Sequence, residues 1–138
     1  KLFKKQEGVF YKKVNVKLLT DREATTYNIV NGLKWLKENV TKNDIAMIFI
    51  AGHGANDEKN NYNFISYDTE IADSESSIQE EGIKLINSVK FDEFQKVILK
   101  LPSRVVLMAD TCFSGNIFSA NNNFSSATMK MENSGAGA

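Results

Sequence analysis

The chain has 138 residues with 17 basic and 17 acidic side chains, a formal net charge of zero. That length permits one domain burying roughly two-thirds of its unfolded surface, and the even charge balance excludes nucleic acid and membrane surfaces as electrostatic partners. The lone Cys112 and lone His53 exclude an internal disulfide and a Cys/His zinc site of ordinary ligand count from this chain alone.

No apolar run approaches the roughly 18 residues of a membrane span, and KLFKKQEGVFYKK at the start lacks the apolar core of a signal peptide. A cytoplasmic setting is expected. The first residue is not Met and NSGAGA ends without a structural stop, so the expectation is a fragment or processed piece.

Residues Val14 to Leu19 (VNVKLL) are expected to form an outer strand, closed by the polar cluster TDRE. From about Ala24 to Val40, Ile29, Leu33, Leu36 and Val40 recur at the helical period, with Thr20, Glu23 or Thr25 as candidate caps. Gly32 inside this helix costs about 1 kcal/mol relative to alanine. Ile45 to Ala51 (IAMIFIA) is apolar on both faces, the composition of a central parallel strand covered by helices on each side. Residues Ala55 to Asn61 are loop-like, Asp57 and Glu58 among them as solvated charges, and Tyr62 to Tyr67 suits a short strand or hairpin arm. The acidic stretch from Asp68 to Gly82 is expected to be a surface excursion, with a short strand over Ile83 to Ile86. Phe91, Phe94, Ile98 and Leu101 mark a second amphipathic helix stopped by Pro102, and Val105 to Ala109 (VVLMA) a second apolar strand. After Asn116 the Asn/Ser/Gly/Ala-rich tail suits a flexible loop.

Helices alternating with apolar, parallel-type strands indicate a helix-flanked α/β sheet. Ligands of such sheets bind at the carboxyl ends of strands, so His53, between Gly52 and Gly54, and Cys112 are expected on one rim. A thiolate attacks acyl carbon, and a nearby imidazole both favours the thiolate and protonates the departing amine. The N–H of Gly54 can join that of Cys112 in an oxyanion hole. Ser114 is a rival nucleophile but lacks a G-x-S-x-G elbow. Alone, a cysteine at a strand end is usually a small apolar group and a loop histidine usually solvated; it is their matching placement that points to catalysis.

IFIAGHG (Ile48 to Gly54) and LMADTCFSG (Leu107 to Gly115) resemble the His and Cys motifs of the caspase-like superfamily, nearer its bacterial and metacaspase branches than animal caspases. The resemblance runs from about Val14 to Gly115 and includes LTDREATTYNIVNGLKWL and INSVKFDEFQKVILKLPSR. It implies a three-layer α/β/α sandwich with a mainly parallel central sheet, of which residues 1–115 form a partial, large-subunit-like catalytic domain and 116–138 a loop after the nucleophile. It implies a Cys/His endopeptidase acting on protein or peptide substrates, with His53 and Cys112 in the catalytic positions. Asp110, two before the cysteine, corresponds to an acid that helps bind Arg or Lys on the acyl side of the cut bond; its plainer role is a turn cap. Ala51 stands on the same side of the pocket where metacaspases often carry serine. Family members add strands before and after this region, so further segments, a regulatory domain or a partner chain are expected to complete the fold.

No cofactor is expected. Calcium, which some metacaspases need, would draw on Asp68, Glu70 and Asp73, but EF-hand spacing is lacking. Within the loop after the nucleophile, Lys130 is a candidate self-processing site. The alternative functions are a catalytically silent caspase-like interaction module or regulatory subunit, or another acyl-transfer enzyme on an α/β sheet.

Overall fold

The computed structural model describes residues 2–72 and 84–112. Besides short 3-10 helices at Phe3–Gln6 and Asp21–Glu23, their regular elements are helices α1 (Thr26–Asn39) and α2 (Phe91–Ile98), and strands β1 (Ile45–Gly52), β2 (Gly54–Asn56), β3 (Tyr62–Phe64), β4 (Glu70–Ile71), β5 (Leu85–Ile86), β6 (Val89–Lys90) and β7 (Arg104–Thr111). This is the expected mixed α/β fold with a parallel sheet. Among the described residues no helix is long and apolar enough to cross a membrane.

The two longest strands, β1 and β7, pair in parallel from Ile45↔Arg104 to Gly52↔Thr111. Parallel neighbours require a crossover connection, and here it carries β2 to β6 and then α2. Within that crossover, β3 is the middle strand of an antiparallel sheet ordered β2-β3-β6, and β4 pairs with β5. The helices arise where the apolar spacing places them. Thr25 caps α1 by accepting the Asn28 N–H (3.2 Å), which satisfies one of the donors left open at a helix start. Asp92 and Glu93 stand in the first turn of α2, where carboxylates suit the positive end of the helix dipole.

Among the described residues, apolar faces of α1, α2, β1, β3, β6 and β7 meet in one core. Leu33 of α1, Ile50 of β1, Tyr62 and Phe64 of β3, Val89 of β6, and Phe91 and Phe94 of α2 form its buried centre, with Ile29, Ile48, Val97, Ile98, Leu107 and Ala109 packed against it. Truncating Phe94, 2% exposed, to alanine would cost about 3–5 kcal/mol.

One expectation is corrected, and a second is met only in part among the described residues. Val14 to Leu19 forms no ladder with any described strand; it has no regular secondary structure, and Val16 and Leu18 are exposed, while the Leu19 side chain lies 3.6 Å from where a Cβ on Gly32 would stand. Its two valines and two leucines therefore carry strand propensity without a partner edge among the described residues. The apolar strands are also not covered on both faces by the described residues. Ile45 (51% exposed), Phe49 (64%), Val106 (40%) and Met108 (36%) lie on the open side, so one flanking layer of the sandwich is present among the described residues.

Smaller differences concern boundaries. The segment after β1 is a hairpin rather than a loop, because Gly54–Asn56 pairs with Tyr62–Phe64. Asp57 closes it by accepting the N–H groups of Lys59 (3.0 Å) and Asn61 (2.9 Å), and Asn60 takes the left-handed conformation at φ 60°. Beyond Phe64 the chain turns through Ser66–Thr69 and docks on the start of α1. Tyr67 donates its N–H to the Ala24 carbonyl (2.9 Å), and Thr26 donates its N–H to Asp68 Oδ1 (2.7 Å).

Candidate active site

The in-register pairing of β1 with β7 determines where the two candidate catalytic residues emerge. The last pair is Gly52↔Thr111, and His53 and Cys112 are the next residue on each strand. Adjacent strands lie about 4.8 Å apart, so the two leave the same edge of the sheet side by side. Both are exposed.

The hairpin arm β3 holds both exits. The Ile65 N–H donates to the His53 carbonyl at 2.9 Å. That bond makes Gly54↔Phe64 a pair whose own N–H and C=O groups point away from β3, which leaves the Gly54 N–H directed out of the ladder. Two residues earlier, the Tyr62 hydroxyl lies 2.5 Å from Thr111 Oγ1, beside Cys112. Between these contacts sits Gly54, buried. A Cβ there would stand 2.6 Å from the Cys112 carbonyl oxygen, 2.6 Å from the Tyr62 hydroxyl and 2.7 Å from its ring. Only glycine lets the histidine and cysteine segments approach this closely. Gly52, at φ +155°, does the same for the Phe64 ring, 3.2 Å from its Cβ position.

Burial raises the Tyr62 phenol above its ordinary range, the nearby Cys112 acts in the same direction, and the hydrogen bond with Thr111 opposes both. Tyr62 is thus neutral at physiological pH and serves as a hydrogen-bonding group, with its ring edge-on to Phe91 at 6.4 Å and 78°.

Ala51 and Asp110 are direct partners in the β1/β7 register and both are exposed. They share the open face of the sheet with the preceding pair, Phe49↔Met108. Among the described residues Asp110 forms no salt bridge, so its carboxylate stands in solvent above apolar side chains.

Residues 3–121 match the family described as metacaspase, peptidase C14 domain. The chain belongs to the metacaspase family. Its relatives are caspase-like cysteine peptidases. Comparison with curated proteins and with solved structures returned no match.

The metacaspase match spans both motif segments, every element of the fold and the paired strand ends. Of the oxygen ligands considered for calcium, Asp68 Oδ1 is already engaged by the Thr26 N–H and by the Ser66 hydroxyl at 2.9 Å, Glu70 is exposed on β4, and Asp73 lies outside the described residues. No three His, Cys, Asp or Glu side chains converge among the described residues. Ser114, Gly115, Lys130 and the proposed loop 116–138 also lie outside them. Two residues of the site carried no expectation, Tyr62 and Thr111. Thr111 sits inside the quoted Cys motif, but its contact with Tyr62 spans 49 residues, and no local pattern signals it.

Proposed function

We propose that this metacaspase is a cysteine endopeptidase that cuts after Arg or Lys, with Cys112 as nucleophile and His53 as its acid/base partner. The observation that supports this most is the strand register ending at Gly52↔Thr111, because it brings the only thiol and the only imidazole of the chain to one edge. In this reading Cys112 Sγ, as thiolate, attacks the scissile carbonyl carbon, and the carbonyl π pair moves to oxygen. The N–H groups of Gly54 and Cys112 receive that oxyanion. When the tetrahedral adduct collapses, the C–N bond breaks and His53 gives its proton to the departing amine. A water molecule, deprotonated by His53, then attacks the thioester and releases the acid product and the thiol.

Asp110 supplies the selectivity for a basic residue. Among the described residues the carboxylate has no ion-pair partner, and it is flanked by apolar surface, which suits a guanidinium with its alkyl stem. The reading is tested by hydrolysis of peptides carrying Arg, Lys or Asp before the scissile bond. Cys112→Ala and His53→Ala are each expected to remove activity on Arg peptides by a factor on the order of 10³ or more while circular dichroism is unchanged, since nucleophile and base act as a unit. Near-native turnover in either variant would overturn the assignment.

A further inference from the structure

We propose that Tyr62 is a positioning residue for the Cys112–His53 pair, its hydroxyl fastening the strand end that bears the cysteine against the glycine that follows the histidine. The proposal rests on the peptidase reading above. Past Gly52↔Thr111 the parallel ladder stops, so Cys112 has left the hydrogen bonds that hold the rest of β7. The Tyr62–Thr111 contact at 2.5 Å is a side-chain bond one residue before the nucleophile. The same phenol lies 2.6 Å from the Cβ position of Gly54, which is itself 2.6 Å from the Cys112 carbonyl oxygen. Three residues further along, the Ile65 N–H holds the His53 carbonyl.

Residues 62–65 therefore act as one rigid arm gripping both segments, and the arm is anchored in the core by Phe64 and by the Tyr62 ring, 4% exposed. Buried beneath Gly54, the phenol does not reach a substrate; it acts through Cys112. Displacing a reacting group by about 1 Å can cost a factor on the order of 100, so a single hydrogen bond at this place has leverage on rate. Thr111, not Cys112, takes the bond, which leaves the sulfur free to react.

The test is the rate at which iodoacetamide alkylates Cys112, followed by intact mass, in wild type, Tyr62→Phe, His53→Ala and the double variant. Tyr62→Phe keeps the ring against Phe91 and removes only the oxygen. It is expected to slow alkylation by about tenfold, toward the His53→Ala rate, and to have no further effect once His53 is gone. Thr111→Val is expected to give the same loss, and the pair Tyr62→Phe/Thr111→Val no more than either alone. On Arg peptides the loss should appear in kcat with KM within about twofold. Wild-type alkylation in Tyr62→Phe and Thr111→Val beside a slow His53→Ala would overturn the proposal, as would an equal slowing with and without His53, the mark of a merely structural contact. If His53→Ala alkylates as fast as wild type, the pair itself is refuted, and the positioning role falls with it.

Discussion

At the scale of single residues, the site is governed by what Gly54 lacks. Its missing side chain is the space through which the histidine and cysteine segments meet, and the atoms around its Cβ position include the Cys112 backbone. A backbone atom at 2.6 Å cannot rotate away as a flexible side chain can. Gly54→Ala is therefore expected to cost about 1–3 kcal/mol, as overpacked sites do, or roughly 10 °C in Tm for a domain of this size. It should also separate Cys112 from His53, and thermal melting with Arg-peptide hydrolysis checks both. Asp110 presents the opposite case, an exposed side chain with no ion-pair partner among the described residues. Because its carboxylate is exposed in the free protein, its removal leaves no orphaned partner, and the loss is that of one charged hydrogen-bonding contact. Asp110→Ala is expected to lower kcat/KM on Arg peptides by about 2 kcal/mol, some 30-fold, with the alkylation rate of Cys112 unchanged. Normal cleavage of Arg peptides by this variant would return Asp110 to a turn-capping role.

Among the elements, the turn after β3 ties the hairpin arm to the start of α1 through Tyr67–Ala24 and Thr26–Asp68. Asp68 is its charged member. Desolvation pushes its carboxyl up, but the Thr26 N–H and the Ser66 and Thr26 hydroxyls outweigh that and hold it below the ordinary value of 3.8. A folded-state pKa below the unfolded one contributes stability above the unfolded value, and that stability is lost as pH falls through the folded value. Urea midpoints between pH 6 and pH 3 should therefore fall less steeply for Asp68→Asn than for wild type, with the variant less stable at pH 6. The elements differ in how far the sequence alone discloses them. The helical period of Ile29 and Leu33, and of Phe91, Phe94 and Ile98, marks α1 and α2 because each helix buries one stripe. The apolar runs of β1 and β7 mark themselves by composition. The sheet β2-β3-β6 has strands of two and three residues, too short for alternation to register, and Gly54–Asn56 has the composition of a loop. Val14 to Leu19 shows the reverse, strand-forming residues that join no edge among the described residues.

For the molecule as a whole, the candidate site was legible to the extent that it follows from strand ends. His53 and Cys112 are 59 residues apart in sequence yet consecutive to one register pair, and the two polar, glycine-bearing turns after apolar strands point to that rim. The contacts that brace the rim were not legible, because Tyr62–Thr111 and Ile65–His53 depend on how the crossover folds back over the sheet rather than on local pattern. The open face of β1 and β7, carrying Ile45, Phe49, Val106 and Met108, accords with a caspase-like sheet whose described residues provide one of two flanking layers. That geometry places Asp110 and Ala51 at the upper end of an apolar surface, next to the cysteine they would serve. The most direct test of the central claim is covalent labelling by a peptide electrophile bearing Arg at the reactive end, with the labelled residue located by mass spectrometry. The account predicts a single adduct on Cys112 that forms faster than with the Asp-bearing counterpart and is strongly slowed in His53→Ala. An unmodified Cys112, or labelling at the same rate without His53, would contradict it.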